Sequence, residues 1–216
     1  MKKQIMTTAL LLVLGLGTAA AATPPKFWFM PTVGFRSVGS FAIQSEDLAY
    51  TTIRFSNGFA YGLSFGYRPS PAIAFEAMWS RHGTAVQGTA PGDDTTPAVE
   101  EALFDAFEDQ LQANLLLSTG YTISSVKPYF LFGLGLTSIN PQGDTPGTTR
   151  FSWSLGFGIE AMLKGRIGLR AQGKFIPTYI NMTDEILFEW DGGYQATAMR
   201  NTMTQWEFQA GLFYRF

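Results

Sequence analysis

The chain has 216 residues, a formal net charge of −2, 15% charged and 15% aromatic residues, 23 glycines and no cysteine. This balance excludes the basic face that nucleic-acid binding requires, all disulfide and thiol chemistry, and the acylated cysteine of a lipoprotein. No later stretch approaches the ~18 consecutive apolar residues of a membrane-crossing helix.

The first segment reads as removable. Lys2 and Lys3 form a positive start, Ala9–Leu16 is apolar but too short to span a bilayer, and Ala20-Ala21-Ala22 supplies the small residues of a cleavage site. A cleaved signal peptide over 1–22 and one domain over 23–216 are expected. Cleavage removes two of the 15 basic side chains and none of the 17 acidic ones, taking the net charge to −4.

From Phe27 onward a two-residue rhythm recurs. Phe27, Phe29, Val33 and Phe35 share one face, with Thr32, Gly34 and Arg36 on the other. Phe59 to Tyr67 alternates with small residues, Ile73 to Trp79 with Glu76 and Ser80, and Leu111 to Tyr121 with Gln110, Gln112 and Asn114. Phe130–Leu136, Phe151–Ile159 and Ile167–Phe175 continue the series, with Glu160, Arg170 and Lys174 on the mixed face. The last strand, "WEFQAGLFYRF", sets Trp206, Phe208, Ala210, Leu212, Tyr214 and Phe216 against Glu207, Gln209 and Arg215. Successive strand side chains point to opposite faces, so these are eight strands with one oily face each.

The connections alternate in length. "RPSPA", "TISSV" and "KGR" are tight, whereas the others are longer and variable. That sorting describes an up-and-down meander, which a β-sandwich with Greek-key links would not show. Phe27, Trp28, Tyr67, Tyr121, Tyr129, Tyr214 and Phe216 mark one aromatic belt at the short-turn ends. Trp79, Phe151, Trp153, Tyr179 and Trp206 mark a second. Two belts and segments of ~10 residues fit strands that cross a membrane. The expected fold is all-β: an eight-stranded antiparallel transmembrane barrel with periplasmic termini.

The segments "KPYFLFGLGL", "FSWSLGFGIEAMLKGRIGLRAQGKF" and the terminal strand resemble the OmpA/OmpX-type eight-stranded outer-membrane β-barrel domain, over essentially the whole mature chain. The resemblance implies a bacterial outer-membrane location in contact with lipid and lipopolysaccharide. It also implies that Phe216, with Phe208, Leu212 and Tyr214, is read by the barrel-assembly machinery. No peptidoglycan-binding domain has room to follow. A monomer is expected.

Eight strands leave a lumen just wide enough for side chains to fill. Arg36, Glu76, Glu160, Arg170, Lys174 and Glu207 face it, and opposite charges there are expected to pair as a plug; an ion path lined by the same residues is the alternative. The long connection at 88–109 is acidic, with Asp93, Asp94, Glu100 and Glu101. Thr96-Pro97 reads as a helix start, and Val99, Leu103, Phe104 and Phe107 as the stripe of a short amphipathic helix. Ile186, Phe188, Trp190 and Tyr194 around Asp191-Gly192-Gly193 read as a protruding hairpin. Both loops are candidate interaction surfaces. No metal site is expected, because the acids lack calcium-loop spacing, and no cofactor loop either, because Gly133/Gly135 and Gly156/Gly158 have no βαβ unit around them.

Catalysis would need a nucleophile, base and carboxylate within hydrogen-bond reach. The one histidine, His82, has Ser80 and Glu76 on its face, but strand residues two apart stand ~7 Å apart. The His-x-Ser-Asn signature of lipid A deacylases is missing. The expected role is therefore structural or interactive, carried by surface loops, ahead of a narrow ion pore and of a lipid A-modifying enzyme.

Overall fold

A computed structural model describes residues 26–44, 52–90, 99–118, 125–143, 147–179, 197–198 and 202–216. Eight long strands form the wall: β1 (Phe27–Val38), β4 (Gly58–Tyr67), β5 (Ile73–Ala90), β6 (Val99–Ser118), β7 (Val126–Pro141), β8 (Thr148–Lys164), β9 (Ile167–Tyr179) and β11 (Thr202–Arg215). Each pairs antiparallel with its neighbour in sequence. The ring closes between the first and last, with Trp28 opposite Arg215 and Val38 opposite Gln205. Phe27 and Phe216 exchange backbone hydrogen bonds of 3.2 and 2.9 Å at the seam. Closure pairs both edges of the eight wall strands across the apolar band, as a sheet in lipid requires.

Three short strands extend the wall at the long-loop end. β2 (Phe41–Gln44) pairs with β3 (Thr52–Phe55) and with β10 (Thr197–Ala198). β3 lies along β5 beyond the rungs used by β4, so β3 and β4 act as one strand interrupted at Ser56-Asn57. The short-turn end is tight: Gly165 takes φ 59° between β8 and β9, and Ser125 takes φ 73° before β7.

The alternation places the oily face outward. Phe59, Phe130, Phe157, Leu155, Leu111 and Val33 are all more than half exposed, in a continuous apolar surface no soluble monomer carries. At the short-turn rim Phe27 packs on Tyr67, Phe65 and Phe216 with centroids 4.9, 5.9 and 6.1 Å away. Near the other rim Phe175 meets Trp206 at 5.0 Å and Phe151 meets Tyr179 at 6.1 Å. Two expected belt members are not in the belt. Trp28 and Tyr129 have the opposite parity to Phe27 and Phe130, so both point into the lumen and are buried. Tyr121 lies outside the described residues.

The stripe from Val99 to Phe107 that was expected on a helix is a strand, and the expected start at Thr96-Pro97 lies outside the described residues. β6 begins at Val99 and runs for 20 residues, and among the described residues there is no helix. Between the Val86–Phe104 and Gln87–Ala102 pairs the register passes over Leu103, which is a bulge. Inserting one residue sends Leu103 and Phe104 to the same apolar cluster, and that break in alternation imitates helical spacing.

Candidate functional site

The lumen is stacked in layers. At the short-turn end Trp28, Met30, Ala74, Leu116, Tyr129, Leu131 and Phe213 make one apolar cluster, with Met162 against it. Glycines opposite make the space: a Cβ on Gly66 would overlap the Trp28 ring, and one on Gly168 the Phe213 ring. At the long-loop end Val38, Ile53, Phe55, Val86, Ala106 and Met203 form a second cluster, with Leu103, Phe104 and Ile139 packed on it.

The six charged residues expected in the lumen are all buried beside and between these clusters. In the upper layer Arg36 donates from Nε to Glu207 Oε2 at 2.6 Å and from Nη2 to Ser80 Oγ at 2.5 Å. It also lies 3.6 Å from the Glu108 carboxylate. Lys174 reaches Glu207 at 3.3 Å and Met78 Sδ at 3.1 Å. Two cations therefore face two acids. In the lower layer Arg170 bridges Glu76 at 2.5 Å and Glu160 at 3.0 Å, and stacks on the Trp28 ring with its carbon 4.8 Å from the centroid. Asn114 donates to Glu76 at 3.1 Å. Neutral polar groups join the layers: Tyr129 donates to Gln172 at 2.7 Å, Gln172 to Gln209 at 3.0 Å and Gln110 to Gln205 at 2.6 Å.

Four members of these layers stood outside the expected charge network. Glu108 is buried two residues before Gln110 on the inward face, so its parity was readable, but the helical reading concealed it. Arg68 and Arg215 continue the inward parity of Gly66 and Phe213 and both close on Glu160, the former at 2.8 Å. His82 is fully buried, not on the rim, with Nδ1 3.7 Å from Glu108 Oε2. The Ser80 hydroxyl is held by Arg36 and by Glu207 at 3.3 Å, so it is turned to the ion pairs rather than to His82.

The loop candidates divide. Asp93, Asp94, Phe188 and Trp190, together with the rest of the expected hairpin, lie outside the described residues. Glu100 and Glu101 are exposed on β6, Glu100 being 3.5 Å from Arg54. Phe107 faces outward with Arg81 5.2 Å over its ring, whereas Phe104 is half-buried in the upper cluster. Arg81 makes two 2.8 Å bonds to Asp109, which also accepts from Trp79 Nε1 at 3.1 Å and Asn140 at 3.2 Å. This is an outward polar knot at the level of the long-loop belt. Among the described residues no group of three or more His, Asp or Glu side chains is placed to hold a metal. Among the same residues no helix is long and apolar enough to cross a membrane.

A family model described as "Outer membrane protein beta-barrel domain" matches residues 6–216. The chain belongs to the outer-membrane β-barrel domain family. Its fold is that of solved barrels: Neisserial surface protein A matches with a TM-score of 0.56 at 17% identity, over 88% of this chain and 97% of that one. The outer membrane protein OprG from Pseudomonas aeruginosa matches at 0.56 and 14%, over 89% and 97%. AlkL, solved in lipid bilayers, matches at 0.50 and 12%, over 92% and 94%. No curated protein sequence matches the chain. For this outer-membrane barrel the exposed apolar surface is the lipid-facing wall, and the short turns and long loops are its two aqueous ends.

Proposed function

We propose that the protein is a non-conducting, non-catalytic barrel of the bacterial outer membrane whose role is exercised by its extracellular loops. The carrying observation is the filled lumen. Two apolar clusters and two layers of paired charge occupy it, which leaves the interior to structure and function to the loops. β5 and β6 support this reading, because they stay paired from Gly83–Phe107 to Ala90–Val99, up to the start of the acidic connection. The loop acids Asp93, Asp94, Glu100 and Glu101 and the aromatic Phe188 and Trp190 are the surface such a role would use. The chain acts as a monomer among lipid and lipopolysaccharide, exported by the 1–22 signal. Its last strand, ending Phe208, Leu212, Tyr214 and Phe216, serves as the signal for barrel assembly.

The test is conductance across a planar bilayer. The folded barrel, verified by its shift on gels with heating, is expected to give flat traces at every voltage. Discrete, salt-dependent steps would show that the charge layers line a pore.

A further inference from the structure

The short-turn end carries a feature that the loop role does not use. Lys26, Arg68, Lys127 and Arg215 surround a cleft of about 330 Å³ with Pro69–Pro71, Ser125 and Met162, and Glu160 is the acid that lines it. Glu160 is already bound by three guanidinium groups, those of Arg170, Arg68 and Arg215. Behind it Glu76 is satisfied by Arg170 and Asn114. Counting Arg170, five cations converge on two acids.

Three of the four donors have a fixed contact. Arg68 lies over the Trp28 ring with its carbon 5.6 Å from the centroid, and its backbone nitrogen donates to Lys26 at 2.7 Å. Its buried Nε has no hydrogen-bond partner among the described residues. Lys127 Nζ is tied to the Pro71 carbonyl, and Arg215 stacks on Phe213 at 5.1 Å. Burial, with repulsion from Arg215 and Arg170, holds the Arg68 guanidinium below its ordinary range against the pull of Glu160, so an added anion there would relieve strain on its charged form.

We propose that this periplasmic mouth is a binding site for a phosphate group, with Arg68 and Lys127 as its principal donors and Arg215 and Lys26 completing the cationic wall. A planar guanidinium beside an ammonium, in a cleft whose wall includes the apolar Met162, suits a tetrahedral oxyanion. The same chemistry is offered by the headgroup of an inner-leaflet phospholipid, whose glycerol would rest on the Pro69–Pro71 turn, and by a soluble phosphate of the periplasm.

The experiment uses the folded barrel in an amine-oxide detergent free of phosphate, titrated with inorganic phosphate and, separately, with dihexanoylphosphatidylglycerol below its micelle concentration. Binding is read by calorimetry and by phosphorus NMR. Saturable binding of either probe is expected. Lys127→Gln and Arg68→Gln should each weaken it by about tenfold, the loss of one charge-assisted hydrogen bond. Lys164→Gln/Arg166→Gln, which removes two cations of the neighbouring turn outside the cleft, should leave it unchanged. Tighter binding of the phospholipid than of inorganic phosphate assigns the site to a headgroup, and equal or weaker binding assigns it to a soluble anion. No saturable binding of either probe, or equal losses in the cleft and turn variants, overturns the proposal.

Discussion

Glu207 shows at the scale of one residue how this lumen holds charge. It stands between Arg36 and Lys174, all three fully buried. Removing one partner from a buried ionic cluster strands the others, at about 3–5 kcal/mol, because their desolvation is no longer offset. Glu207→Gln is expected to lower the stability of the folded barrel by that amount, measured as urea unfolding from lipid vesicles. Adding Lys174→Met should recover more than about 1 kcal/mol, since it removes the stranded ammonium; a strictly additive loss would show the pair to be uncoupled. Trp28 makes a parallel case in packing. Its ring occupies the space in front of Gly66, so Gly66→Val should cost about 1–3 kcal/mol by overpacking in the same unfolding assay. The ion pairs were legible from parity alone, as Arg36, Glu76, Glu160, Arg170, Lys174 and Glu207 all face inward as read. Parity also placed Trp28 inward, but its aromatic character suggested a belt. In a narrow barrel with inward glycines, a ring can serve as core.

At the scale of the element the strands over the apolar band were readable because both of their faces are consistent: oil outside, small or polar residues inside. Above the band that contrast inverts. Inward Val86 and Ala106 are apolar, while outward Asp109 and exposed Glu100 and Glu101 are acidic, and the bulge at Leu103 shifts the phase by one. A pattern with inverted polarity and a slipped phase no longer scores as a strand, and Val99, Leu103, Phe104 and Phe107 align at helical spacing instead. The ladder decides the matter physically. Phe104 to Gln110 is paired with β5, and from Ala106 onward β7 is paired on the other side. Amides of Ala106–Gln110 are therefore expected to exchange with deuterium as slowly as those of Leu111–Leu117 in the same strand. Exchange there within minutes, with Leu111–Leu117 protected, would mean that β6 ends at the membrane surface. Short connections were legible for a simpler reason: a tight turn needs few residues, and its length is visible in sequence.

Across the whole molecule, the proposed closure of the lumen rests on obstacles in series. An ion would have to pass the Trp28–Phe213 cluster with the Arg170–Glu160 ion pairs around it, the Arg36 layer and the Phe55–Val86 cluster. Hydrophobic constrictions exclude ions by dewetting, and Glu108, Glu207, Glu76 and Glu160 in the charge layers each lie in an ion pair with an arginine. Opening one seal alone leaves the others closed. Phe55→Ala, which hollows the upper cluster, should remain silent in a planar bilayer, and so should Phe213→Ala, which hollows the lower one. Each is expected to lose about 3–5 kcal/mol of stability as a buried Phe→Ala change, so both are to be checked for heat-modifiable folding first. A conducting single variant would locate the whole barrier in the cluster it removed and make the charge layers a selectivity filter. Silence of both, with folding intact, is the result that a barrel closed by obstacles in series requires.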